Sequence, residues 1–375
     1  MQEHKATFTQ KRKEKHTQRC KVKNVCDLCF PLQLRVKKMI KVQSTSSKFI
    51  IMTKYLFISI FLFSSITMEA QTHKPLSVIF DTDMGPDYDD VGAITLLHAF
   101  ADSGKAKILA TIASTKYEGV AAVLNVFNTY FKKPGIPIGV PKGNALILKD
   151  WQHWTDTIIA KYPHAIKNNN DVPDAVELYR KILAKQQDNS VTIITVGFLT
   201  NISNLLQSKA DKYSSLTGKE LIRRKVKNLV SMAGKFPAGK EFNIEKDSAA
   251  SIYAYKNWEK PVLFSGFEIG EKIKTGLPLV NNNAIQNSPV KDVFALCLPM
   301  AKEDNEGRMS WDETAVLVAI AGYKPYFKLK AGTIQIARDG SNTWNEKGTN
   351  QHYLAEARSP SEVEKIINEL MMHQP

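Results

Sequence analysis

The sequence predicts an α/β fold, in which a single domain is built on an open, mainly parallel sheet flanked by helices. From about residue 76 onward, apolar segments of strand length alternate with segments whose apolar residues recur at helical spacing. Strand-like segments such as residues 191–197 consist largely of apolar and β-branched residues, which is typical of parallel strands covered on both faces. No internal repeat or Pro/Gly-rich linker divides this part of the sequence, so we expect one domain.

The order of the elements follows from these two patterns. The predicted strands cover residues 76–80, 107–113, 136–140, 191–197, 226–232 and 261–264, and the predicted helices cover residues 91–100, 120–131, 174–187, 200–207, 246–257, 310–321 and 360–371. Ser310 and Glu313 have the spacing of a capping box at the start of their helix. The stretch around Trp151 and Trp154 is predicted to be a loop that could act as a lid.

The positive charge of the chain is concentrated in one segment. The net charge is +14, and residues 1–51, with 13 basic and 3 acidic residues, carry +10 of it. These residues show neither helical nor strand periodicity, so the basic excess lies outside the predicted fold. We therefore do not expect the protein to bind nucleic acid.

Residues 52–70 have the pattern of a secretory signal peptide. Met52 precedes a short basic segment, an apolar run over residues 55–66 and a small-residue cleavage pattern that ends at Ala70. The apolar run is too short to span a bilayer. We expect a periplasmic or secreted mature domain, residues 71–375, with no membrane association after the signal is removed. Because a signal peptide acts at an N-terminus, we expect residues 1–51 to be a non-native upstream extension.

Residues 81–90 contain five aspartates and directly follow an apolar, strand-like segment. Closely packed carboxylates repel one another strongly in a low dielectric, unless a cation compensates them or some of them stay protonated. Oxygen ligands of this kind suit Ca²⁺ or Mg²⁺. In parallel sheets, ligands bind outside the carboxyl ends of the strands. The sequence therefore predicts a metal site at this edge of the sheet, against the simpler interpretation of a solvated acidic turn.

Four segments, in the same order, resemble the inosine-uridine preferring nucleoside hydrolase family. Residues 81–90, Asp-Thr-Asp-Met-Gly-Pro-Asp-Tyr-Asp-Asp, resemble its N-terminal signature. Residues 195–201 are similar to its central Gly-x-x-Thr-Asn segment, residues 232–234 and 241–244 to its Met-Gly-Gly and Glu-Phe-Asn segments, and Trp311-Asp312 to its His-Asp pair. The resemblance covers residues 76–322 and implies a nucleoside hydrolase-like fold with a Rossmann-like core.

The resemblance also implies a reaction and a set of site residues. The implied reaction is hydrolysis of the N-glycosidic bond of a ribonucleoside or a related ribosyl compound, assisted by Ca²⁺, which releases base and ribose. Asp83, Asp90 and Asp312 would bind the ion through their side chains and Val196 through its backbone carbonyl, with Asp83 also acting as the catalytic base. The implied substrate-binding residues are Asp89, Glu241, Asn243 and Trp311. We expect Glu241 and Asn243 to lie two apart on an extended segment, with both side chains pointing the same way.

Departures from the family pattern concern mainly the substrate side. Trp311 stands where the family has a histidine that protonates the leaving base, and an indole cannot act as a general acid. His153 is a candidate replacement, or the leaving group needs no proton. Asp87 is an additional acid, so the roles of Asp87, Asp89 and Asp90 can shift by one position. Either Lys235 or Lys240 is a candidate for holding the 5′-hydroxyl.

Two other functions remain open at this point. The first is a catalytically silent ribosyl-binding protein of the same fold, since the histidine is replaced. The second is a metal-dependent phosphatase, because two aspartates one residue apart after a buried strand also occur in haloacid-dehalogenase-type sites, although Met84 does not fit that pattern. The expected partner is a small-molecule nucleoside or ribosyl compound, and the resemblance implies a homodimer or homotetramer.

Overall fold

A ten-stranded mixed sheet forms the centre of the protein, for which a computed structural model describes residues 74–375. The strands of this part are β1 (Leu76–Thr82), β2 (Ala106–Ala113), β3 (Ile138–Gly139), β4 (Val191–Thr195), β5 (Val226–Met232), β6 (Ala238–Lys240), β7 (Val262–Ser265), β8 (Lys274–Thr275), β9 (Arg308–Met309), β10 (Phe327–Ile336), β11 (Ser341–Asn345) and β12 (Gln351–Glu356). The spatial order is β3-β2-β1-β4-β5-β7-β12-β10-β11-β6, and β8 and β9 form a separate antiparallel pair.

The first seven strands in this spatial order run parallel. This confirms the predicted open, mainly parallel sheet. Successive side chains of β1 join different cores: Val78 and Phe80 belong to one hydrophobic core cluster and Ile79 to the other. The sheet is therefore covered on both faces, which explains why its central strands are apolar throughout.

The last three strands in the order are antiparallel to their neighbours. Strand β10 pairs with β12 and β11, and β11 pairs with β6. The sequence did not predict residues 327–356 as strands, because β10 is only partly buried and its apolar and polar residues alternate irregularly.

Helices pack on both faces of the sheet. In the described range they are α1 (Asp89–Asp102), α2 (Val120–Tyr130), α3 (Trp154–Lys161), α4 (Ala175–Ala184), α5 (Thr200–Gln207), α6 (Gly218–Lys225), α7 (Phe242–Lys246), α8 (Ser248–Asn257), α9 (Phe267–Gly270), α10 (Leu277–Val280), α11 (Pro289–Cys297), α12 (Trp311–Ala321) and α13 (Pro360–Met371). Every predicted helix corresponds to one of these, whereas α3, α6, α7, α9, α10 and α11 were not predicted.

Two local predictions are wrong. Ser310 does not cap helix α12 with its side chain, since its hydroxyl hydrogen-bonds the Thr275 hydroxyl at 2.7 Å. Its supposed partner Glu313 is fully buried in the interface with α1. Trp154 does not lie in a loop: it begins helix α3 and is fully buried, while Trp151 is 58% exposed.

The close approach of helices α1 and α12 requires glycine at position 92. A Cβ atom there would lie 2.0 Å from Glu313 Oε1 and 2.8 Å from its Cγ, so the whole buried side chain would have to move. We expect Gly92→Ala to lower the free energy of unfolding by about 1–3 kcal/mol, because overpacking outweighs alanine's helix propensity gain of about 1 kcal/mol. Denaturant unfolding would measure this. Gly135→Ala is the control, since no atom lies within 4 Å of its added Cβ, and equal effects of the two substitutions would contradict the prediction.

The predicted upstream extension and signal peptide, residues 1–51 and 52–70, lie outside the described residues. Within residues 74–375, none of the helices combines the length and the apolar character needed to cross a bilayer.

Candidate active site

A pocket of about 290 Å³ opens at the carboxyl ends of the parallel strands. Its walls come from the segments that follow β1, β4 and β5 and from the start of helix α12, as expected for a ligand site in an open α/β sheet. All the predicted site residues except Asp90 line it, namely Asp83, Asp89, Val196, Glu241, Asn243, Trp311 and Asp312. The pocket is also lined by Asp87, Met232, Phe242, Phe267, Glu303, Arg308 and Met309.

The loop that carries Asp83 is held by hydrogen bonds at its base. The Thr82 hydroxyl donates to Asp90 Oδ1 and accepts from the Met84 amide at 3.0 Å. The Tyr117 hydroxyl donates to the Met84 carbonyl at 2.9 Å. These contacts tie the end of β1 to the first turn of α1, so Asp83 enters the pocket from a fixed backbone while Asp90 lies fully buried behind it.

Burial and mutual repulsion raise the pKa of the three acids predicted to bind the metal. Desolvation, and then the Asp90 carboxylate, raise the pKa of Asp83 well above its usual range. Desolvation and the neighbouring aspartates do the same to the pKa of Asp90 and Asp312. No ion pair within residues 74–375 involves any of these three carboxylates. The cluster therefore requires either protons or a cation from solution.

The donor chemistry of this cluster fits a hard cation. Asp90 Oδ2 is buried and has no hydrogen-bond partner in the described part of the chain, which leaves it available as a ligand. In residues 74–375, however, no group of three or more His, Cys, Asp or Glu side chains already surrounds a common point at metal-binding distances. The residues therefore suit a cation through their oxygen chemistry and their uncompensated charge.

Val196 reaches the pocket because Gly197 lets the chain pass close to Asp83. A Cβ atom at position 197 would lie 2.4 Å from the Asp83 amide nitrogen and 2.5 Å from the Ser114 hydroxyl. The Val196 amide donates to the Asp81 carbonyl at 2.8 Å, which extends the β1–β4 pairing by one bond. The Val196 carbonyl accepts a hydrogen bond from Asn243 Nδ2 at 2.9 Å, and its second lone pair remains available for a ligand.

The prediction that Glu241 and Asn243 lie on an extended segment is wrong. Glu241 is the N-cap of helix α7, and its carboxylate accepts hydrogen bonds from the amides of Asn243, Ile244 and Gly234 at 2.6, 3.2 and 3.0 Å. Asn243 lies in the first turn of that helix. Both side chains still line the pocket, but a carboxylate that caps a helix is held more firmly than one on a free strand.

Asp89 forms an ion pair that the sequence did not predict. Its Oδ1 accepts hydrogen bonds from Nε and Nη2 of Arg308 at 3.1 and 2.8 Å, and Nη2 also donates to Asp87 Oδ2 at 2.8 Å. Arg308 was missed because it lies 219 residues from Asp89 in a two-residue strand. The only sequence signal was its position three residues before Trp311.

Trp311 contributes an aromatic face rather than a donor. Its indole Nε1 donates to the Phe267 carbonyl at 2.8 Å, and the two rings lie 5.2 Å apart. The Arg308 guanidinium carbon lies 5.1 Å from the Trp311 ring centre. The N–H of Trp311 is therefore already used within the protein, and the residue can meet a ligand only through its ring.

Several candidates suggested by the sequence do not line the pocket. His153 is exposed beside Asp156, and Lys240 pairs with Asp339 at 3.3 Å. The ammonium of Lys235 lies 4.5 Å from the centre of the Phe267 ring, outside the pocket lining. Trp151, Trp154, Phe198 and Phe236 are also absent from the lining, whereas Phe242 and Phe267 belong to it. The role suggested for His153 as the leaving-group acid is thus wrong.

Asp81 is a further buried aspartate, and it lies in β1 two residues before Asp83. Asp81 Oδ2 accepts hydrogen bonds from the Tyr179 hydroxyl at 2.7 Å and from Asn201 Nδ2 at 3.0 Å, while its Oδ1 has no partner in residues 74–375. Burial raises the pKa of Asp81 from 3.8 to about 7, against the effect of both hydrogen bonds.

This raised pKa predicts that stability falls with pH. Between the unfolded pKa of Asp81 near 4 and its folded pKa near 7, the folded state holds more protons, so stability decreases as pH rises through that range. Asp81→Asn can keep both hydrogen bonds without the charge. We expect the free energy of unfolding of the variant to exceed that of wild type by about 2–4 kcal/mol at pH 8 and to differ little from it at pH 4.5. Urea unfolding at the two pH values would measure this.

Asp171→Asn is the matched control for that experiment. The exposed Asp171 carboxylate accepts hydrogen bonds from the amides of Lys167 and Asn168, which lower its pKa. Its replacement should therefore destabilise the protein at pH 8 rather than stabilise it. A gain in stability for both variants at pH 8 would contradict the assignment to Asp81.

The fold and the pocket define an α/β enzyme with a carboxylate-rich active site at the carboxyl ends of its parallel strands. The family model of the inosine-uridine preferring nucleoside hydrolases matches residues 78–365. The chain belongs to that family, and it is a hydrolase acting on N-glycosyl compounds. No curated protein matches the sequence with significance.

Solved structures share the fold at low sequence identity. An inosine-guanosine nucleoside hydrolase superposes with a TM-score of 0.61 at 19% identity, covering 80% of this chain and 99% of the other. An inosine-uridine preferring nucleoside hydrolase from Bacillus anthracis gives 0.58 at 15% identity, covering 79% and 99%. The type III effector protein XopQ, complexed with adenosine diphosphate ribose, gives 0.57 at 14% identity, covering 80% and 94%. At these identities the matches establish the fold alone.

Proposed function

We propose that the protein hydrolyses the N-glycosidic bond of a ribonucleoside or a related ribosyl compound with the help of one Ca²⁺, releasing base and ribose. The observation that carries this proposal is the meeting of Asp83, Asp312 and the Val196 carbonyl with Asp89 in one pocket. Acidic groups around a bound sugar suit this reaction, because its transition state has oxocarbenium character.

The ion would be held by the side chains of Asp83, Asp90 and Asp312 and by the carbonyl of Val196. When bound, it would supply the positive charge that lowers the pKa of a nearby water. Asp83 accepts the proton of the attacking water, since it lines the pocket without an ion-pair partner in residues 74–375, whereas Asp87 and Asp89 are hydrogen-bonded to Arg308 and Asp90 is fully buried.

The remaining wall residues orient the sugar and the base. Asp89 lines the pocket beside Asp312 and accepts a hydrogen bond from a ribose hydroxyl, while Arg308 holds the Asp89 carboxylate in place. On the opposite wall, the carboxylate of Glu241 accepts hydrogen bonds from sugar hydroxyls, and the side-chain amide of Asn243 exchanges hydrogen bonds with them. The rings of Trp311 and Phe267 offer faces on which a base can stack.

The test is a substrate panel assayed for three outcomes. The purified protein would be incubated with Ca²⁺ and inosine, uridine, adenosine, cytidine or the phosphate monoester adenosine 5′-monophosphate, with free reducing sugar and free phosphate measured in parallel. Release of ribose from a nucleoside supports the proposal. Phosphate release in its place would indicate the phosphatase alternative, and calorimetric binding without turnover would indicate a silent ribosyl-binding protein.

We also propose that the protein acts outside the cytoplasm, in the periplasm or after secretion, with no nucleic-acid partner. The signal-peptide pattern of residues 52–70 supports this location. N-terminal sequencing of the exported protein should begin at or near Gln71, and a mature form that retains residues 1–51 would contradict it. A homodimer or homotetramer is proposed by resemblance and can be measured by light scattering.

A further inference from the structure

The pocket contains a single positively charged side chain among its acids. The lining includes Asp83, Asp87, Asp89, Glu241, Glu303 and Asp312, and Arg308 is the only cation among the lining residues that the structure describes. The acids stabilise the positive charge that develops on the sugar in the transition state. The product that leaves with a negative charge would meet repulsion from every ionised group in the pocket except Arg308.

Arg308 is held by hydrogen bonds from Nε and Nη2, whereas its Nη1 donates no hydrogen bond to a described residue. Nε and Nη2 donate to Asp89 and Asp87, and the guanidinium carbon lies 5.0 Å from the Tyr88 ring centre and 5.1 Å from that of Trp311. Nη1 is 3.8 Å from Asp304 Oδ2 and forms no hydrogen bond with any described residue. A planar cation is thus fixed beside two rings, and its Nη1, although ion-paired with Asp304, donates no hydrogen bond to a described residue.

The chemistry of N-glycoside cleavage requires such a group. When the bond between C1′ and the base nitrogen breaks, the electron pair stays on the base, which needs either a proton or a positive charge nearby. No histidine lines the pocket in the described range, and the Trp311 N–H is already donated to a backbone carbonyl. Among the described lining residues, Arg308 is the one positively charged side chain that can meet a departing base anion.

Building on the proposed function, we propose that Arg308 is the leaving-group residue, whose Nη1 donates to a carbonyl oxygen or ring nitrogen of the base and stabilises it as an anion. Water adds its oxygen to C1′ and gives a proton to Asp83. The base leaves with the electron pair of the broken bond and takes its proton from solvent afterwards. The inferred substrates are therefore nucleosides whose base carries an acceptor that delocalises negative charge.

Arg308 would act as a fixed charge and not as an acid. Its neighbouring aspartates Asp89 and Asp87 raise its pKa well above the usual range, in spite of its burial. The guanidinium group stays protonated at every working pH, so it can stabilise an anion but cannot pass on a proton.

The test compares two leaving groups in the same variant. Uridine requires stabilisation of its base, whereas 4-nitrophenyl β-D-ribofuranoside releases a phenolate that is already stable. In Arg308→Gln, we expect kcat/KM for uridine to fall by about 10²-fold or more relative to the nitrophenyl substrate, the range for loss of one charge-stabilising donor. Arg308→Lys keeps the charge beside Asp87 and Asp89 but loses the planar fork, so its ratio should lie between those of wild type and Arg308→Gln.

The ratio separates this role from a purely structural one. A variant that only misplaced Asp89 or lost stability would lose both activities equally, so an unchanged ratio in folded Arg308→Gln or Arg308→Lys overturns the inference. Arg358→Gln is the control, because Arg358 is exposed and pairs only with Glu362 among the described residues. Wild type that is active on both substrates with an unchanged ratio in the variants refutes this inference alone. Wild type that releases no ribose from the nitrophenyl substrate or from any nucleoside of the panel refutes the proposed function as well.

Discussion

Replacing Asp83 with alanine should reduce kcat for ribose release by about 10³-fold or more, because it removes both the proton acceptor and one carboxylate of the proposed cation site. Asp83 is 4% exposed at the pocket wall, and the backbone around it is fixed by Thr82 and Tyr117, so few other contacts are lost. Reducing-sugar release at saturating substrate would measure the effect.

Two further variants make the Asp83 result interpretable. Asp83→Asn keeps the size of the side chain but cannot accept a proton, so it should be almost as inactive as the alanine variant. Asp188→Ala is the control, since Asp188 is an exposed aspartate paired with Arg224 and Lys225 on the surface. Retention of more than about a tenth of the activity in both Asp83 variants would exclude Asp83 as the base.

Removing divalent cations should lower activity and thermal stability together. Desolvation and neighbouring aspartates raise the pKa of Asp83, Asp90 and Asp312, and none of the three has an ion-pair partner within residues 74–375, so a bound cation would relieve the repulsion. At about 100 times its dissociation constant, Ca²⁺ would stabilise the folded state by about 2.7 kcal/mol. Thermal melts after EDTA treatment, with and without added Ca²⁺, would measure the shift.

The response to Ca²⁺ should disappear when one proposed ligand is neutralised. Asp312→Asn removes a charge from the cluster, and we expect its melting temperature to be insensitive to Ca²⁺. Asp292→Asn is the matched control, because Asp292 pairs with Lys161 near the surface and lies outside the pocket. A Ca²⁺-dependent shift of wild-type size in Asp312→Asn would show that the ion binds elsewhere.

The fold was predictable where burial imposes a simple period. Strands β1, β4 and β5 are covered on both faces and appear in the sequence as apolar runs, so their positions and their parallel arrangement could be predicted. Strands β10–β12 could not be found in this way because they are only partly buried, although Asp339-Gly340 between β10 and β11 is a hairpin turn signal in the sequence.

The site was predictable where a dense local string carries it. The aspartates of residues 81–90 lie between the end of β1 and the first turn of α1, and the resemblance placed Val196, Glu241, Asn243 and Asp312 in the same pocket. The geometry of those residues was not predictable to the same degree. Whether Glu241 faces a sugar or caps a helix depends on the course of the next five residues. The Arg308 ion pair depends on the packing of α12 against α1, which no local pattern reveals.

The edge strand β6 has a consequence for how the specificity of this enzyme can change. The segment between Met232 and Glu241, two residues that line the pocket, is fastened by β6 to β11 and by two hydrogen bonds between Lys235 and Asn342. The hairpin of β10 and β11 comes about a hundred residues later in the chain and touches none of the acids. Insertions or deletions at its tip could therefore reshape substrate selection while the hydrolytic machinery stays intact, which makes residues 337–341 a natural place to begin directed evolution.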